Sequence, residues 1–227
     1  MQSLFRRSIA EAFGTFGLVF FGTAAVAAQS MPGGGSGVLG IALAHGLVLA
    51  VLVTALLSIS GGHLNPAVTL GLVVARRTNL PTAAAYIAAQ LIGAVLAALL
   101  LKAVFPIGMV RGMSLGTPTI ASSIQFHQAV MMEAAMAFLL VSAVFGTVCN
   151  PAAPRHGGLW IGLALTVDIL AGGPITGAAV NPARAFGPAL VAGQWVAHAA
   201  YWVGPILGGA AAALLWEYVL LPAVRKE

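Results

Sequence analysis

Apolar positions in this chain do not alternate with polar ones but run together. Six runs approach the roughly 20 residues that cross a ~30 Å hydrocarbon layer as a helix. They fall at roughly 8–28, 38–59, 82–105, 126–148, 157–174 and 198–221. Two further stretches, "NPAVTLGLVVA" from Asn65 and "NPARAFGPALVA" from Asn181, are too apolar for loops and too short to span. At 1.5 Å per residue each makes a helix of about 15 Å, half a bilayer. The pattern predicts an all-α membrane protein of six transmembrane helices and two re-entrant half-helices that stop near the middle.

The pattern also repeats. "YIAAQLIGAVLAALL" from Tyr86 aligns without a gap on "YWVGPILGGAAAALL" from Tyr201, and the two Asn-Pro-Ala motifs keep nearly the same spacing. "EAFGTFGLVFFG" from Glu11 recurs as "EAAMAFLLVSAVFG" from Glu133. Such self-similarity marks duplication of one unit. The expectation is a single channel domain over 1–227, made of two copies at about 1–110 and about 120–227. Three spans per copy invert the second copy in the membrane, with the functional site near the midplane where the copies meet. The recurrence also counts against a secretory leader, which Arg6-Arg7, the first apolar run and "AVAAQS" otherwise imitate.

Composition strengthens this reading: 60% of residues are hydrophobic and 7% charged, far from a soluble domain. The net charge of +5 therefore bears on orientation rather than on nucleic acid. Arg6, Arg7, Arg76, Arg77, Arg155, Arg225 and Lys226 lie in the termini and even-numbered connections, against Lys102, Arg111 and Arg184 elsewhere. That bias puts both termini in the cytoplasm, with the cell (inner) membrane as the expected location. The single cysteine, Cys149, excludes an intrachain disulfide. No Cys/His spacing suggests a metal, and no nucleophilic or ATP-binding constellation suggests an enzyme, so no cofactor is expected. The glycine-rich Gly33–Gly37 stretch and the segment from Gly112 to Ser123 read as ordinary loops without chemistry.

Each Asn-Pro-Ala reads as a helix start, with Asn65 or Asn181 as N-cap and Pro66 or Pro182 in the first turn, followed by Ala67 or Ala183. Non-helical backbone at membrane depth is tolerated only where protein or a watery cavity surrounds it. Two half-helices entering from opposite faces bring two positive dipole ends together at the centre, each of about half a charge. Asn65 and Asn181 can then hold the oxygen of one water and turn its hydrogens apart along the lumen. That breaks a proton-conducting chain, and the converging positive ends repel cations.

These residues resemble the aquaporin, or major intrinsic protein, family over essentially the whole chain. The resemblance rests on "GGHLNPAVTLG", "NPARAFGPA", the paired "EAFGTF" and "EAAMAF", and "AQLIGA". It implies a homotetramer with one pore per subunit. It also implies a selectivity filter of His45, Ile169, Ala178 and Arg184, placed by counting from the two motifs. That quartet differs from the narrow water-only type, which has Phe first and His second. With "DILAGGPITGAAVNPAR" it is similar to plant tonoplast intrinsic aquaporins. Ile169 removes a donor and Ala178 leaves space, so ammonia is expected beside water. Ala185 stands where glycerol channels of the family place Asp, and the Tyr201-Trp202 pair also differs from them.

The resemblance further implies that Glu11 and Glu133 accept hydrogen bonds from the re-entrant loops, that Gln90 braces the first of them, and that His63 lines the cytoplasmic half of the pore. The rival reading of the glutamates is a proton relay. His127 and His198 read as interfacial. Asp168, about 100° around the helix from Ile169, should face protein. The function expected is a passive channel for water, and for ammonia or another small neutral solute, that excludes protons and ions. The alternatives are a secondary transporter, which also uses inverted repeats and broken helices, and a structural membrane-junction protein.

Overall fold

The computed structural model describes residues 3–29, 31–153 and 156–221. Arg155, Arg225 and Lys226, three of the cations behind the orientation argument, lie outside the described residues. The spanning helices are α1 (Leu4–Ala28), α2 (Gly37–Leu56), α4 (Leu80–Val104), α6 (Phe126–Thr147), α7 (Gly157–Thr176) and α9 (Ala200–Leu215), the last running on to Leu220 as one π turn. All six are long and apolar enough to cross a membrane. Between them lie the half-helices α3 (Pro66–Val74) and α8 (Pro182–Ala192), and a short surface helix, α5 (Ile107–Gly112).

Helix starts follow local chemistry. Ser3 caps α1, its Oγ accepting from the Arg6 amide at 3.3 Å, so this helix begins before the apolar run that announces it. Asn79 caps α4 by accepting from the Thr82 amide at 2.9 Å, with Pro81 in the first turn where its missing N–H costs nothing.

Packing is closest where side chains vanish. α1 packs on α4 and α6 on α9, and a Cβ added at Gly93 would collide with the Ala12 carbonyl, as one at Gly208 would with that of Ala134. Gly93 and Gly208 hold matching places in the two aligned segments. In lipid, where apolar side chains gain nothing by leaving apolar solvent, such backbone contact is what holds helices together. The remaining helices close the structure: α2 packs on α7, α3 on α9 and α8 on α4. Each half-helix thus leans on the last helix of the opposite half, which fixes where the two N-termini meet.

Candidate conduction site

Both motifs fold as their chemistry dictates. Asn65 and Asn181 are extended, and each side-chain oxygen accepts a backbone N–H of its own half-helix, from Ala67 at 2.8 Å and from Ala183 at 3.0 Å. The amide nitrogens do more than face the lumen. Asn65 Nδ2 donates to the Val180 carbonyl at 3.0 Å and Asn181 Nδ2 to the Leu64 carbonyl at 2.8 Å, so each motif ties down the loop of the other. An amide has two N–H protons, which leaves one per asparagine for a passing molecule. Leu64 and Val180 sit at φ +50° and +56°. A non-glycine residue there carries roughly 1–3 kcal/mol of strain, tolerated where the surroundings fix it.

The glutamates supply that fixing. Glu11 accepts from Ser60 Oγ at 2.6 Å, the His63 and Leu64 amides at 3.0 and 2.7 Å, and Gln90 Nε2 at 2.8 Å. Glu133 accepts from Thr176 Oγ1 at 2.6 Å and the Ala179 and Val180 amides at 3.0 and 2.7 Å. Both carboxylates are fully buried. The matching place of Gln90 is Pro205, so Glu133 has no amide brace of that kind. Gln90 also donates to Thr69 Oγ1 at 3.1 Å, binding Glu11 to the half-helix.

Two residues that sequence reasoning left without a role complete each loop. Tyr86 donates its hydroxyl to the Ser60 carbonyl and Tyr201 to the Thr176 carbonyl, both at 2.8 Å. Their alignment in the gapless repeat was the signal that could have found them.

Between these anchors runs an hourglass. Its waist leaves about 20 Å³ for water centres, little more than one molecule needs. Asn65, Asn181, His45, His63 and Arg184 form a polar stripe there against an apolar wall that includes Leu49, Val53 and Leu140. The waist opens at one end into a vestibule of about 260 Å³ and at the other into one of about 210 Å³. His45, Ile169, Ala178 and Arg184 all line the former, the outer vestibule, which lies at the C-terminal end of α1; His63 lines the latter, the inner one.

The outer constriction is built from three directions. His45 Nδ1 lies 2.9 Å from the Ile41 carbonyl, which can only accept, so that nitrogen carries the proton. The rest of its ring is boxed in: a Cβ on Gly22 of α1 would clash with it, and Nε2 is buried without a partner among the described residues. Arg184, 5% exposed, donates Nη1 to the Gly116 carbonyl at 2.9 Å. This corrects the reading of Gly112–Ser123 as a loop without chemistry. Ser114–Gly116 is a 3₁₀ turn with Gly116 at φ +70°, and Gly116, Pro118 and Thr119 line the outer vestibule. A backbone carbonyl is the same in every residue, so nothing in the letters marks this one.

Asp168 is buried and does not pair with Arg184; its Oδ2 has no partner among the described residues. His127 is exposed, and His198 accepts from Trp202 Nε1 at 3.1 Å beside Trp195. Arg77 pairs with Glu217 at 2.6 Å at the inner vestibule, where Cys149 also lies. Burial pushes the Cys149 thiol up to about 11, with Glu217 adding to the rise and Arg77 opposing it. Because the thiolate is the nucleophile, maleimide labelling of Cys149 should be slow at pH 7 and rise about tenfold per pH unit until the thiol titrates. A labelling rate that is flat between pH 7 and 9 would contradict this.

Comparison with known proteins agrees with the geometry. Residues 1–216 match the family described as Major intrinsic protein. Aquaporin TIP4-4 of Zea mays is 45% identical over 219 residues, covering 93% of this chain and 85% of that protein. The lens fiber major intrinsic protein of Lithobates pipiens is 40% identical over 225 residues, 98% and 84% of the two chains. The X-ray structure of the aquaglyceroporin from Plasmodium falciparum superposes with a TM-score of 0.82 over 96% of this chain and 97% of that one. At 24% identity it bears on the fold alone.

Proposed function

The chain belongs to the major intrinsic protein family, and from that premise we propose that it is a passive channel for water that also passes ammonia and excludes protons and ions. It is a multi-pass membrane channel, a transport protein and not an enzyme. The observation that carries the finer reading is the narrow waist, in which Asn65, Asn181 and Arg184 face an apolar wall between two open vestibules. A molecule in that waist sheds its hydration shell, and the polar stripe replaces part of it. Water and ammonia are small and neutral enough for the exchange. A cation meets Arg184 and two converging positive helix ends.

In this reading Asn65, Pro66, Ala67, Asn181, Pro182 and Ala183 form the central barrier to protons. His45, Ile169, Ala178 and Arg184 form the filter, His63 lines the inner half, and Glu11, Glu133 and Gln90 hold the loops. The domain is one channel of two inverted repeats with both termini in the cytoplasm, assembled as a homotetramer. Relatives such as Aquaporin TIP4-4 are tonoplast intrinsic aquaporins, so the expected cell-membrane location is not supported. The hydrogen bonds of Glu11 and Glu133 to loop amides favour their structural role over a proton relay, and with it a channel over a transporter.

Stopped-flow light scattering on proteoliposomes tests the reading, with one osmotic step and one ammonium gradient followed by internal pH. Both rates are expected to exceed those of empty liposomes. Fast water flux without faster alkalinisation would remove ammonia from the proposal, and neither rate rising would remove the channel.

A further inference from the structure

The outer end of the seam between α4 and α8 holds the two cations of that face that take no part in the filter. Lys102, in the last turn of α4, and Arg111, in α5, line one cavity of about 210 Å³ with Ser114, Ile107 and Val191. Both are exposed, and the one ion pair among the described residues, Arg77–Glu217, lies at the opposite face. Among the described residues no carboxylate is at hand to neutralise them: Glu11, Glu133 and Asp168 are buried inside the bundle, and Glu217 is engaged by Arg77.

Further along the same seam the chemistry changes. Ala88, Leu91, Ile92 and Leu96 of α4 and Phe186 of α8 line an open, almost wholly apolar groove of about 400 Å³. Ile92 and Leu96 are 58% and 52% exposed, so the groove opens sideways to the bilayer. At 1.5 Å per residue Lys102 stands about 15 Å along α4 from Ile92, which is the hydrocarbon depth of one leaflet. A cationic pocket at the interface and an apolar groove deeper in the same leaflet thus lie one after the other along α4.

We propose that the α4–α8 seam binds an anionic phospholipid of the outer leaflet, with its phosphate between Lys102 and Arg111 and an acyl chain along Ile92, Leu96 and Phe186. A guanidinium offers phosphate paired N–H donors, the Ser114 hydroxyl adds another, and basic pockets between membrane helices suit phosphate head groups. The lipid has structural leverage, because α8 carries Arg184 in its first turn and Val191 and Ala192 at the pocket.

Native mass spectrometry of the full chain in detergent tests this with equal amounts of phosphatidylglycerol and phosphatidylcholine. Phosphatidylglycerol is expected to be retained about tenfold more, given two cations near the head group. Lys102→Ala combined with Arg111→Ala should bring the ratio to parity while water flux persists as the fold control; Lys102→Arg should keep the preference. Equal retention of the two lipids by the wild type would overturn the proposal, as would a preference that survives the double substitution. Displacement of the lipid by inorganic phosphate at the same concentration would also overturn it, and would mark a site for soluble anions.

Discussion

Glu133→Leu is expected to abolish water conduction and to lower stability by about 5 kcal/mol. Each buried donor left unpaired costs about 1–3 kcal/mol. Leucine fills much of the space of the glutamate but accepts nothing. The Thr176 hydroxyl and the Ala179 and Val180 amides then lose their partner in a fully buried setting. Val180 suffers most, since its left-handed backbone is held against strain by the bond it loses. Its carbonyl is the acceptor for Asn65, so the damage crosses to the other half-helix. Glu133→Gln keeps one acceptor oxygen and should retain most water flux at a smaller cost in stability. Thermal unfolding in detergent and proteoliposome shrinkage read the two effects. The pair of variants also separates the structural role from a proton relay, which would lose flux in the glutamine variant while its stability stayed intact.

Tyr201→Phe belongs to the same unit and should act in the same direction but more weakly, because it removes one neutral hydrogen bond to the Thr176 carbonyl.

The spans and half-helices were legible because their signal is long and physical. Twenty apolar residues have few other uses, and Asn-Pro opens a helix by satisfying one donor and omitting another. The carboxylates were marked by their charge in an apolar stretch and by matching places in the repeat, while their bonds to the loops were implied by the family resemblance. What stayed hidden were contacts made by backbone. The Gly116 carbonyl that holds Arg184, and the Leu64 and Val180 carbonyls that take the asparagine amides, depend on φ and on long-range closure. Tyr86 and Tyr201 were hidden for a related reason: an aromatic on a packed helix face has a sufficient explanation in burial alone. Asp168 was expected to face protein and is buried, yet its Oδ2 has no partner among the described residues and its presence has no structural account.

His45→Phe combined with Ile169→His is expected to lower ammonia flux by about tenfold, a barrier increment of ~1.4 kcal/mol, while water flux changes by less. The effect is steric before it is chemical. The His45 ring already lies against Gly22 of α1, where even one added carbon would clash. A phenyl ring is longer than an imidazole and has no room in that direction, so it must extend into the lumen. At position 169 a histidine brings a second ring to the outer vestibule, which Ile169 lines beside Ala178 and Arg184. The opening narrows, and it regains a donor that water uses well in both of its roles. Ammonia, with one lone pair and a larger outline, gains less from that donor and loses more to the narrowing. His45→Ala alone is the opposite control, widening the constriction so that ammonia flux rises and a larger neutral solute such as urea begins to pass. Unchanged ammonia flux in the double variant, with the protein folded and conducting water, would mean that selectivity is set below these four residues, at the asparagines of the waist.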